Sequence, residues 1–78
     1  MHVLDTNVVA EMMRPAPDDR VRAWLDAHAA AELFVTTLTK AEIHFGIQRL
    51  PEGRRKAGLA EAARRVFNEL FRGRVLAF

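Results

Sequence analysis

The chain has 78 residues, half of them hydrophobic, with 12 basic and 10 acidic side chains and a net charge of +2. That length allows one domain with a marginal core and excludes a disordered composition. There is no cysteine, which removes disulfides and thiolate metal sites, and no run of about 18 apolar residues that could span a membrane.

Asp5 also interrupts the N-terminus too early for a secretory signal, so the expected compartment is the cytoplasm. Charge is uneven along the chain. From Arg49 onward the bases Arg49, Arg54, Arg55, Lys56, Arg64, Arg65, Arg72 and Arg74 face only Glu52, Glu61 and Glu69. Such a segment fits either phosphate-backbone binding or the solvated face of a helix.

In chain order, Val3 and Leu4 read as a buried strand that ends at Asp5, and "VVAEMM" continues as a short helix stopped by "RPAP". Met12 and Met13 read as core filler. Asp18 or Asp19 caps a second helix, whose Val21, Trp24, Leu25 and His28 fall at i, i+3, i+4 and i+7 and define one apolar face. "LFVT" is a second strand.

In "TKAEIHFGIQRL" a third helix is expected, with Thr39 and Glu42 as a capping box and Ile43, Ile47 and Leu50 on the buried side. Pro51 and Gly53 punctuate its end. A fourth helix is expected from about Glu52 to Phe71, with Leu59, Ala63, Val66, Phe67, Leu70 and Phe71 as its stripe. "GRVLAF" turns at Gly73 into a third strand. The alternation implies an α/β fold: a parallel sheet flanked by helices, with three strands and four helices in a single domain over 1–78.

Two carboxylates stand out. Asp5 and Glu42 each follow an expected strand, in the first turn of the next helix, and parallel crossovers bring such ends to one sheet edge. Each also has a plain structural reading, Asp5 as a helix cap and Glu42 as the partner of Thr39. If they converge they call for a cation, and oxygen-only ligands point to Mg²⁺ or Mn²⁺. His2, His28 and His44 are scattered without metal spacing; His28 reads as a packing residue, and His44 points away from Glu42.

"VLDTNVV", followed by "TLTKAEIHFGI" after a second strand, resembles the N-terminal half of a PIN-domain ribonuclease. "DTNVVAEMMRPAPDDRVRAWLD" and "GRVLAF" look like the VapC and FitB type of toxin from bacterial toxin–antitoxin pairs, so the similarity runs from Met1 to Phe78. The resemblance implies a Mg²⁺- or Mn²⁺-dependent endoribonuclease with Asp5 and Glu42 as its first two acids. Thr6 and Asn7 match the polar residues beside the first acid, and Thr39 the small hydroxyl residue before the second. It also implies an RNA substrate, a homodimer, and inhibition by an antitoxin carrying a DNA-binding segment.

In that family further aspartates from a C-terminal half complete the site. After Glu42 this chain has only Glu52, Glu61 and Glu69, whose spacing suits an outer helix surface. The expectation is therefore that the 78 residues are an incomplete PIN-like domain that cleaves nothing alone. Two rival readings start from the same residues: an interaction module whose carboxylates only cap helices, and a haloacid-dehalogenase-like phosphatase with Asp5 as nucleophile, against which Asn7 stands where a second aspartate belongs.

Overall fold

The computed structural model describes residues 1–77; Phe78, expected at the end of the third strand, lies outside the described residues. The elements run β1 (His2–Val3), α1 (Thr6–Met12), α2 (Asp19–Asp26), β2 (Leu33–Thr36), α3 (Thr37–Gln48), α4 (Arg54–Arg65) and β3 (Val75–Leu76). A single 3₁₀ turn at Ala30–Glu32, not anticipated, leads into β2.

The three strands form one parallel sheet in the order β1-β2-β3. His2 pairs with Leu33 and Val3 with Phe34, while Val35 pairs with Val75 and Thr36 with Leu76. Leu4 N donates to Phe34 O at 2.8 Å, so ladder bonding continues one residue past β1 and delivers Asp5 to the strand's carboxyl end. β2 lies in the centre, and its Leu33 and Val35 are buried. Arg74 holds β3 in place: its Nε donates to Leu33 O at 3.0 Å and its Nη2 to Leu70 O.

The core gathers Leu4, Val9 and Met13 from the N-terminal part, Leu33 and Val35 from the sheet, Ile43 and Ile47 from α3, and Ala63, Phe67 and Phe71 from the last helical segment. Met12 packs against it, as a gap-filling side chain should. Residues from the sheet and from the helices on it thus meet in one cluster.

Three expectations are corrected. First, α3 begins at Thr37 with Thr36 as its cap, so Thr39 is not the cap and the Thr39–Glu42 box does not exist. Thr36 is still extended, at φ −110° and ψ 161°, as the last residue of β2, and its hydroxyl accepts from Thr39 N at 3.1 Å. Glu42 is then six residues into the helix, beyond the free N–H groups that a cap serves.

Second, the fourth helix starts at Arg54, after Gly53 at φ +151°, and does not stay α-helical to Phe71. Over Val66–Leu70 it widens into a π-helical turn, closed by Phe71 N donating to Val66 O at 2.9 Å. Residues 67, 70 and 71 would share one face of an α-helix. In the wider turn Phe67 and Phe71 are buried while Leu70 is 37% exposed.

Third, the apolar face of α2 is only half-buried. Leu25 packs against the core and Val21 is half-buried, but Trp24 is 41% exposed, and His28 lies beyond the helix cap at Ala27. No helix among the described residues is long and apolar enough to cross a membrane.

Candidate functional site

Asp5 occupies the N-cap of α1. Its backbone is extended, at φ −83° and ψ 170°, and its Oδ1 accepts from Val8 N at 2.9 Å. One oxygen thus satisfies a free amide at the positive end of the helix dipole. Asp5 also lines a cleft of about 760 Å³, together with Leu4, Asn7, Glu11, Asp18 and Trp24. The capping role of Asp5 is real, and it occupies only half of the carboxylate.

Glu42 comes to the same edge from α3. Thr6, the residue next to Asp5, donates its hydroxyl to Glu42 Oε1 at 2.6 Å. That length belongs to hydrogen bonds from a hydroxyl to an ionised carboxylate. Behind it stand two more hydroxyls: Thr39 Oγ1, buried, lies 3.2 Å from Thr6 Oγ1, and Thr36 Oγ1 lies 3.5 Å from Thr39 Oγ1. A row of threonines from the end of β2 and the first turns of α1 and α3 therefore ties the two carboxylate-bearing helices together.

Asn7 lines the cleft beside Asp5. The cleft's far wall is set by Glu11, which accepts from Asp18 N at 2.7 Å and pairs with Arg14 at 3.3 Å. Asp18 caps α2 through Arg20 N at 2.8 Å, and that backbone hydrogen bond, with Arg20's charge assisting, holds its carboxyl below the usual aspartate range.

The donor set is all oxygen: two carboxylates and neighbouring threonine hydroxyls, which suits a hard divalent cation. Among the described residues no three His, Cys, Asp or Glu side chains group closely enough to hold a metal. Two acids fall short of the coordination that Mg²⁺ demands. Glu52, Glu61 and Glu69 do not supply a third: they pair with Lys56 and Arg64 on the outer surface. His44 is turned to Phe67, with ring centroids 5.7 Å apart.

Sequence reasoning brought Asp5 and Glu42 to one edge but missed two things. Thr36 was not singled out, although the run Thr36-Thr37-Leu38-Thr39 straddles the strand end. His2 and His28, read as scattered, lie with ring centroids 4.6 Å apart, both against Trp24. A second groove, of about 1210 Å³, runs between the end of α1 and α4 with Met12, Leu59 and Val66 on its floor and Arg14, Arg55 and Arg65 among its lining; neither Asp5 nor Glu42 reaches it.

Comparison with known proteins bears out the resemblance. A family model for the PIN domain matches residues 2–78. The chain is 40% identical over 78 residues to Toxin FitB of Neisseria gonorrhoeae, covering 100% of this chain and 56% of that protein. It is 37% identical over 78 residues to VapC ribonuclease Y4jK of Sinorhizobium fredii, again covering 100% of this chain and 56% of the relative. The solved structure of FitAB bound to an IR36 DNA fragment matches all of this chain and 55% of its own with a TM-score of 0.86 at 40% identity. The crystal structure of FitAcB from Neisseria gonorrhoeae gives 0.85 at 40% identity, over 100% of this chain and 56% of that one. The chain thus spans little more than half the length of the relatives it matches. With a family match from residue 2 to residue 78 and the three-stranded parallel sheet to go with it, the chain belongs to the PIN domain family.

Proposed function

We propose that these 78 residues supply the first two acids of a metal-dependent endoribonuclease, a toxin of a toxin–antitoxin pair that acts in the cytoplasm on RNA. The observation that supports this reading is the 2.6 Å bond to Glu42 of α3 from Thr6, the residue that follows Asp5. Asp5 and Glu42 would hold Mg²⁺ or Mn²⁺, and the ion, when bound, activates water and neutralises charge on a scissile phosphate.

The chain's own part is positional. Asp5 is fixed by its cap and Glu42 by Thr6, so neither carboxylate must be ordered when the ion arrives. Two acids are too few for tight binding, and the relatives' additional length is where further ligands would come from. A homodimer and an antitoxin with a DNA-binding segment complete the proposal. Support for such a partner comes from the matched FitAB assembly, which is bound to DNA.

The test is metal-dependent RNA cleavage by the whole protein, with Asp5→Asn beside it. Chelator and Asp5→Asn should each abolish cleavage while circular dichroism keeps the native signal. Undiminished cleavage by a folded Asp5→Asn protein would sink the mechanism. If the wild-type protein binds no divalent ion and cleaves nothing, the interaction-module reading takes its place, with Asp5 only the cap that it also is. The 78 residues alone should bind metal weakly and leave RNA intact.

A further inference from the structure

His2 and His28 do not line the cleft at Asp5, but they form a ring cluster with Trp24, which does. Its members come from β1, α2 and the residues just after α2. His2 and His28 centroids are 4.6 Å apart with planes at 80°, and Trp24 packs 4.2 Å from His28 and 5.4 Å from His2.

The protonation of His28 follows from its partner. Its Nδ1 lies 2.7 Å from Trp24 O, and a carbonyl oxygen only accepts, so Nδ1 carries the hydrogen. Nε2 is then the lone-pair nitrogen. This is the arrangement that orients histidines in metal sites, where one nitrogen donates to a backbone carbonyl and the other binds the ion. The His2 ring packs against Trp24 and His28, and among the described residues neither of its nitrogens makes a hydrogen bond or ion pair, so both are available.

Spacing agrees with the chemistry. Metal–nitrogen bonds of about 2.0–2.1 Å to one ion place two imidazole centroids roughly 4.5–5.5 Å apart. The exposed His2 ring can also turn about its broad χ2 torsion at little cost.

We propose that His2 and His28 form a two-histidine site for a borderline divalent transition ion, Cu²⁺, Ni²⁺ or Zn²⁺, with water completing the coordination. It is separate from the oxygen site of Asp5 and Glu42 and does not rest on the nuclease reading. Imidazole selects these ions over Mg²⁺, and the Irving–Williams order puts Cu²⁺ ahead. Because the pair joins the N-terminal strand to the end of α2, a bound ion cross-links two elements that otherwise meet through ring contacts, and stabilises the fold by mass action.

Trp24 is the chain's single tryptophan and reports directly. The experiment is titration of the 78-residue chain with Cu²⁺ and then Ni²⁺, following tryptophan fluorescence, with far-ultraviolet dichroism as the check on folding. Saturable quenching should weaken at least tenfold in His2→Ala and in His28→Ala, stay unchanged in His44→Ala, and resist excess Mg²⁺. Unchanged affinity in His28→Ala overturns the pair; if only His2→Ala loses binding, the ion belongs to the amino terminus and the proposal also fails. Should a variant unfold, Ni²⁺ broadening of histidine proton resonances in the unsubstituted chain decides. His2 and His28 must broaden before His44, and equal broadening of all three refutes the site.

Discussion

The hydroxyl of Thr6 donates to Glu42 Oε1 at 2.6 Å, across 36 positions of sequence. It joins the first turn of α1 to α3 at the carboxyl edge of the sheet, one residue from Asp5. Thr6 anchors Glu42 through one oxygen; on the proposed function that makes it a positioning residue, with the second oxygen serving the ion.

Thr6→Val keeps the shape and removes the donor. Hydrogen bonds to charged groups are worth about 1.5–3 kcal/mol, so metal affinity in the whole protein should fall roughly ten- to a hundredfold. Thr6→Ser restores the hydroxyl and should recover most of it. Calorimetric titration with Mn²⁺ measures both, and equal affinity for Thr6→Val and wild type would show that Glu42 needs no anchor.

The cap of α3 gives a second, separable outcome. Thr36→Ala should cost about 1 kcal/mol in denaturant unfolding, the ordinary loss for an N-cap hydroxyl. Glu42→Gln should leave stability within about 0.5 kcal/mol, because its carboxylate serves no cap, and should lower metal affinity. A Glu42→Gln protein as destabilised as Thr36→Ala would return Glu42 to a structural role.

Why the strand at Leu33–Thr36 was legible and the cap beside it was not has a local cause. "LFVT" is a β-branched and aromatic run, and its order alone sets its state. "TTLT" then offers three hydroxyls within four positions, and which one caps depends on where the ladder to β3 stops, at Thr36 opposite Leu76. The π turn was hidden for a similar reason. Val66, Phe67, Leu70 and Phe71 fit a 3.6-residue stripe, and only the packing against the sheet decides that Leu70 is the one turned out. Asp5 and Glu42 could be assigned to one edge from topology, whereas the row of threonines that joins them is a tertiary fact. Trp24 and His28 have helical spacing whether or not another layer covers them, so their exposure was not readable.

The wide turn has an energetic consequence. Phe71 is 0% exposed and its amide closes the π turn, whereas Leu70 is 37% exposed. Phe71→Ala should cost about 3–5 kcal/mol, enough to unfold much of so small a domain. Leu70→Ala should cost about 1 kcal/mol or less. Thermal unfolding followed by circular dichroism separates them, and comparable losses would mean that the helix continues as a regular α-helix with both residues inside.

Acid should weaken the helix ends before the core. Asp18 lies below its ordinary value of 3.8, chiefly because Arg20 N donates to it, and Glu61 below 4.5, chiefly because the Arg64 side chain does. Both groups hold fewer protons folded than unfolded. Their contribution is therefore fully present above those ordinary values and is lost as pH falls through the lower folded ones. Both side chains are exposed and screened by solvent, so the effect per group is small. Denaturant midpoints should accordingly be flat from about pH 7 to 5 and decline below about pH 4. Asp18→Asn keeps a capping oxygen for Arg20 N but cannot titrate, so its curve should fall less steeply at the acid end. An identical acid slope in Asp18→Asn and wild type would mean that the α2 cap carries none of the pH dependence.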